Sequence, residues 1–162
     1  MRSLLKSIRG GLGGRLRKRF WERYPINELN RNEWEALCDG CGLCCLLKFE
    51  ENGSDTVKFT NVACRLLDLQ HCRCRHYEAR TKIVSDCIVL KPDEIDDIID
   101  WMPATCAYRL RREGKQLHSW HHLVSGSTET VHECGVSVRG RAVSETEVDM
   151  DELENHVAEE FE

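Results

Sequence analysis

The sequence predicts a small, irregular α+β domain that is mainly helical and cysteine-rich, carries short strands, and is stapled by metal. Two observations lead there. Ten of the 162 residues are cysteine, and four of them fall within the run CDGCGLCC at 38–45. Aromatic residues make up 7% of the chain and charged residues 31%, so apolar burial is thin against the backbone entropy of folding. Something besides burial must then hold the fold, and the ten cysteines can supply it through metal ligation or disulfides.

The N-terminus carries leucines interrupted by arginines and by glycines at 10, 11, 13 and 14. Each of those glycines costs a helix about 1 kcal/mol relative to alanine. The segment lacks the continuous apolar stretch of a secretion signal, and no part of the chain approaches the ~20 apolar residues of a membrane span. A cytoplasmic protein with reduced cysteines is expected, which favours metal ligation over disulfides. Residues 1–24 hold eight Lys or Arg against Glu22, a net +7, whereas residues 145–162 hold nine Asp or Glu and no Lys or Arg. The expected organisation is a flexible basic arm at 1–19, a metal-binding domain at 20–143 and a partly helical acidic tail at 144–162. The arm or the tail is the expected face for a protein partner. Nucleic acid is not expected, because the core lacks a basic recognition helix.

Along the chain, NEWEALC at 32–38 predicts a short helix capped by Asn32 that delivers the chain into the cysteine run. TVKFT at 56–60 predicts a strand with Val57 and Phe59 on one side, and Asn52, Gly53 and Ser54 before it predict the turn of a hairpin. Pro92 to Met102 predicts the clearest helix, since Ile95, Ile98, Ile99 and Met102 form a stripe, Asp96, Asp97 and Asp100 face solvent, and Pro103 ends it. A second helix follows from Ala104 to about Glu113, with Gly114 as its left-handed cap. VSVR around Val136 and Val138 reads as a strand, and Met150, Leu153, Val157 and Phe161 recur at helical spacing in the acidic tail.

The chemistry lies in the cysteines. Cys38, Cys41 and Cys44 have the CxxCxxC spacing of a thiolate tripod that takes a distant fourth ligand, while Cys45 is expected to point away from its neighbour toward a second metal or a second centre. Cys64, Cys72, Cys74, Cys87 and Cys106 supply the distal sulfurs. Nine thiols suit two four-ligand sites with one to spare, or one cluster with structural thiols. The run departs from the bacterial ferredoxin pattern, whose fourth cysteine follows a gap of three and precedes proline. An iron-sulfur cluster is the favoured occupant and zinc the alternative. Cys134 reads as a free apolar cysteine. His118, His121 and His122 read as surface or packing residues, His71 and His76 as groups that hydrogen-bond to sulfur, and Asp39 as a side chain bonded to amides of the turn. Arg109, Arg111 and Arg112 could bind an anion, although a solvated helix face explains them equally well. No GxSxG, phosphate loop or dinucleotide fingerprint occurs, so no catalytic or cofactor-binding residue is assigned.

From Phe20 to about Val143 the chain resembles the YcgN-type cysteine-cluster family of bacterial proteins, related to the YkgJ-like group described as zinc- or iron-chelating. The resemblance rests on RFWERYPINELNRNEWEALCDGCGLCCL at 19–46, FTNVACRLLD at 59–68, CRCRHYEAR at 72–80 and DWMPATCAYRLRREGK at 100–115. It implies that Cys38, Cys41, Cys44, Cys45, Cys64, Cys74 and Cys87 are the shared cluster pattern, and that Cys72 and Cys106 belong to the YcgN-type version. Some relatives in the wider group, including a flagellin lysine methylase, are associated with iron-sulfur chemistry, which implies iron; a redox or sensing role for such a centre is the expected function. A structural zinc module that mediates protein interaction is the alternative. His122 stands where similar sequences tend to carry proline, and Cys134 has no counterpart in the pattern.

Overall fold

The computed structural model describes residues 14–51, 53 and 56–161. Of the basic arm expected at 1–19, residues 1–13 lie outside the described residues, as do Asn52 and Ser54 of the expected hairpin turn. The chain folds as a mixed α+β, cysteine-rich structure. Among the described residues no helix is long and apolar enough to cross a membrane.

Two short helices, α1 (Phe20–Arg23) and α2 (Arg31–Ala36), precede the cysteine run. The cap of α2 is Asn30, not the expected Asn32. Asn30 and Glu33 form a reciprocal capping box, a motif that Asn32 and Glu35 offer equally well in the sequence. Tertiary contacts select the first pair: Arg17 donates to Glu33 through its main-chain N at 2.9 Å and its guanidinium at 2.6 Å. The Asn32 amide donates to the Gly14 carbonyl instead, at 2.9 Å.

The expected hairpin is present. Strand β1 (Leu46–Glu50) pairs antiparallel with β2 (Val57–Ala63), with a register irregularity between Leu46 and Lys48, and β2 pairs in parallel with β5 (Val143–Ser144). A separate two-stranded ribbon joins β3 (Leu67–Asp68) to β4 (Arg73–Cys74). Then come α3 (Arg80–Ile83), α4 (Ile95–Ile98), α5 (Ala107–Arg112), α6 (His122–Ser125) and α7 (Thr130–Glu133).

Three elements differ from the sequence reading. The helix expected to run unbroken to Met102 gives up α geometry at Ile98 (φ −122°, ψ 2°) and finishes as a 3-10 turn at Ile99–Trp101. Adjacent aspartates and β-branched residues have weak helix propensity, and burial of Ile95 and Met102 is achieved without a continuous ladder. Val138 is fully buried but is not in a strand; its N–H donates to the Cys41 carbonyl at 2.9 Å. The acidic tail forms 3-10 turns at Met150–His156 and Glu159–Phe161, with an extended step between them. There Val157 bridges Thr60, and Ala158 N–H donates to the Phe59 carbonyl at 2.9 Å. The tail thus covers the part of the β2 edge that two-residue β5 leaves open, a way of blunting a sheet edge. Its apolar stripe divides accordingly, with Phe161 buried and Met150 exposed.

Two apolar clusters result. One joins Phe59, Ala63, Leu46, Leu67, Val138 and Phe161 beneath the sheet; the other joins Phe20, Trp34, Leu37, Ile95, Ala107 and Tyr108 among the helices. Leu37 belongs to the second and Cys41 to the first, so the cysteine run spans the seam between them.

The Arg17–Glu33 pair predicts an acid-sensitive step. Hydrogen bonds from Arg17 hold the Glu33 carboxyl at about 2, below its ordinary 4.5. Its contribution is therefore complete above the unfolded value and lost as pH falls from about 4.5 toward 2. Glu33→Gln should cost about 1–3 kcal/mol in urea unfolding at neutral pH, and the difference from wild type should shrink through that acid window.

Candidate metal centre

The cysteine run leaves α2 at Leu37 and turns twice through Gly40 (φ 78°) and Gly42 (φ 79°), positions that favour glycine. Asp39 Oδ1 accepts from Cys41 N–H at 2.9 Å, the expected aspartate turn. Leu43–Cys45 forms a single 3-10 turn that runs directly into β1. Three carbonyls of the run are clamped from distant parts of the chain. Leu37 O accepts from His121 Nε2 at 3.0 Å, Cys41 O from Val138 N, and Cys45 O from Cys64 N, the last two both at 2.9 Å.

All ten cysteines are free thiols. Cys44 and Cys45 lie side by side, with Sγ–Sγ 4.0 Å, a correction to the expectation that Cys45 points away. A proton shared between them makes Cys44 the readier thiolate and pushes Cys45 up. Burial raises the thiols of Cys38, Cys41, Cys87 and Cys106, with charge on Cys44 a smaller contribution at each. Cys45 also feels Cys64, and Cys87 feels Cys64 and Cys74. Burial raises the thiol of Cys41 well above its ordinary value and that of Cys106 to about 12. Among the described residues no three His, Cys, Asp or Glu side chains converge tightly enough to hold a metal ion.

Cys72 stands apart. It adopts a left-handed backbone (φ 52°) and is buried under the sheet. Its sulfur lies 3.9 Å from the Leu69 carbonyl and beside the Ser137 hydroxyl. Cys134 is exposed at the end of α7.

The histidines pack. His121 is 1% exposed, and its Nε2–H donates to Leu37 while Nδ1 accepts from Leu123 N–H at 3.1 Å. Both ring nitrogens are thus spent inside the protein, and burial holds the ring neutral. His118 stacks on Trp120 with ring centroids 5.0 Å apart. His122 is held down to about 4 by burial. His71 turns to Asp68 at 3.1 Å rather than to sulfur. The arginines of α5 are engaged locally: Arg109 with Met102 O and Glu113, Arg111 with Lys115 O, and Arg112 with Asp96.

The sequence reading missed two cations. Lys48 folds back from β1 to donate to Cys44 O at 3.2 Å and Leu46 O at 2.9 Å. The Arg73 guanidinium stands so close to Gly40 that a Cβ there would meet it at 3.0 Å. A lysine three residues after the vicinal cysteines, between Leu47 and Phe49, was the available signal for the first. Nothing local pointed to Arg73. The Asp39 Oδ2 atom is buried without a hydrogen-bond partner. By donor type, though not by convergence among the described residues, the thiols around this turn suit a thiophilic metal ion or cluster.

Comparison with known proteins decides the family. A "putative zinc- or iron-chelating domain" of the CxxCxxCC type matches residues 37–107. A UPF0260 protein of Allorhizobium ampelinum is 52% identical over 140 residues, covering 86% of this chain and 87% of that protein. The chain belongs to the UPF0260 family. Other UPF0260 proteins match as fully: that of Rhodobacter capsulatus is 50% identical over 93% of this chain and all of its own length. That of Gluconacetobacter diazotrophicus is 54% identical over 86% of each chain. No solved structure matches. The family expected from the cysteine motifs is therefore the one found, and the matched stretch of this UPF0260 chain spans all nine candidate cysteines from Cys38 to Cys106.

Gly42 tests the turn. A Cβ at this position meets Val138 Cγ2 at 2.8 Å on a left-handed backbone. Gly42→Ala should cost about 1–3 kcal/mol, seen as a lowered midpoint in thermal unfolding, whereas Gly135→Ala, with open space around its Cβ, should cost less.

Proposed function

We propose that this protein is a cytoplasmic metal-binding protein whose cysteines hold an iron-sulfur centre with a redox or sensing role. The observation that carries the reading is the side-by-side Cys44–Cys45 pair, 4.0 Å apart, at the middle of a group of reduced thiols. Neighbouring thiolates on one edge suit a polynuclear centre or two adjoining centres, because a single tetrahedral ion is complete with four ligands. The reading divides the thiols into Cys38, Cys41, Cys44 and Cys106 on one side and Cys45, Cys64, Cys74 and Cys87 on the other, with the Cys44–Cys45 pair at the join. Cys72, with its sulfur against Leu69 and Ser137, is left outside both sets. An iron-sulfur centre would supply one-electron chemistry there. The chain contributes the thiolates and the two glycine turns of the run that carries four of them.

Structural zinc is the second reading, favoured by the two separate apolar clusters that meet at the cysteine run. A metal at that seam would staple them, and its binding free energy would be folding free energy.

Anaerobic purification followed by iron, zinc and acid-labile sulfide analysis separates the readings. Brown protein with iron and sulfide in matched amounts is expected; colourless protein loaded with zinc assigns the chain to the second reading. Cys72→Ser and Cys134→Ser should keep the full metal load, whereas Cys45→Ser and Cys64→Ser should lose it in part or whole. Equal loss in Cys72→Ser would sink the proposed ligand sets.

A further inference from the structure

Lys48 is an unusual residue to find turned inward. It lies on β1 opposite Phe59, at the point where the β1–β2 register is irregular. Its ammonium sits 4.7 Å from the centre of the Phe59 ring and donates to the Cys44 and Leu46 carbonyls. An ammonium has three N–H donors, so two carbonyls leave one unspent. Among the described residues no carboxylate forms an ion pair with it, although nine other ion pairs are present. Partly withdrawing a lysine from water, as here, without an anionic partner is costly. The groups whose negative charge would offset that cost are sulfurs: the ammonium is held 3.2 Å from the carbonyl of Cys44, whose sulfur lies 4.0 Å from that of Cys45. A group of thiolates has the complementary problem, because their mutual repulsion opposes loading them onto one centre.

We propose that Lys48 is the counter-charge of the cysteine group, a positioning residue whose ammonium offsets the negative charge of the thiolate-bound metal centre. The inference rests on the metal-binding reading above. Its chemistry is purely electrostatic: Lys48 neither ligates the metal nor transfers a proton. Three consequences follow from the sign of the charge. Loss of the cation weakens metal binding, since each thiolate must be formed against its neighbours. It also disfavours the more negative, reduced state of an iron-containing centre, so the reduction potential falls. Arginine, which keeps the charge, restores both properties, whereas glutamine, which can still donate to the carbonyls but is neutral, restores neither.

The test uses the full chain purified anaerobically as wild type, Lys48→Met, Lys48→Gln and Lys48→Arg. Readouts are metal content, competition against a chelator, circular dichroism, and a potentiometric dye titration where iron is present. The Met and Gln variants are expected to bind metal about tenfold less tightly than wild type. A tenfold preference lost by the reduced state corresponds to a potential lower by about 59 mV for one electron, and Lys48→Arg should lie close to wild type. If Lys48→Met fails to fold, the Gln and Arg pair decides the matter. Wild-type affinity and potential in Lys48→Gln would reduce Lys48 to a cap for two carbonyls and overturn the counter-charge. A wild-type protein that holds no metal, by contrast, would overturn the metal-binding reading on which the inference rests.

Discussion

Three hydrogen bonds to the main chain of one short segment govern how this protein is built. Leu37, Cys41 and Cys45 carbonyls are clamped by His121, Val138 and Cys64, residues drawn from three regions far along the chain. Left to itself, a run containing two glycines has many conformations and no preferred direction for its sulfurs. The clamps remove that freedom at the start, middle and end of the run. They also couple the cysteine turn to both apolar clusters, because Leu37 belongs to one and Val138 to the other. Such buried bonds are costly to leave unmade, so the turn and the two cores support one another.

Charge is arranged about this turn with little regard for sequence distance. Lys48 reaches it from the neighbouring strand, Arg73 from the β3–β4 ribbon, and Asp39 from within the run itself. The cations lie within reach of sulfurs that repel one another when ionised, and one Asp39 oxygen remains buried and unpartnered. Two cations against one carboxylate leave a net positive charge at the turn, which complements ionised sulfurs. The surrounding histidines do not share the task. His121, which a ligand search would single out first, uses both ring nitrogens to hold the backbone of the run.

The acidic C-terminal segment illustrates how local pattern and tertiary need can diverge. Its apolar residues are spaced for a helix, yet it crosses β2 in extended form and buries Ala158 and Phe161 beside the sheet. Repulsion among nine carboxylates between residues 145 and 162 works against a compact helix, whereas an unpaired stretch of β2 offers main-chain hydrogen bonds. Arg141 over the Phe161 ring, centroid distance 4.3 Å, completes the attachment.

The sequence by itself determined the α+β class, the β1–β2 hairpin, the Gly114 cap and the importance of the cysteine run, because turn residues, strand alternation and cysteine spacing are local signals. It also supplied the motifs by which the family is recognised. Only the tertiary structure decided which asparagine caps α2, where Val138 and the acidic tail lie, and that Cys44 and Cys45 stand together while Cys72 faces elsewhere. Those outcomes depend on partners tens of residues away: Arg17 for Glu33, Cys41 for Val138, and Phe59 for Ala158. The inward turn of Lys48 has the same origin, since a register irregularity between two strands exists only once they pair, and no spacing within either strand records it.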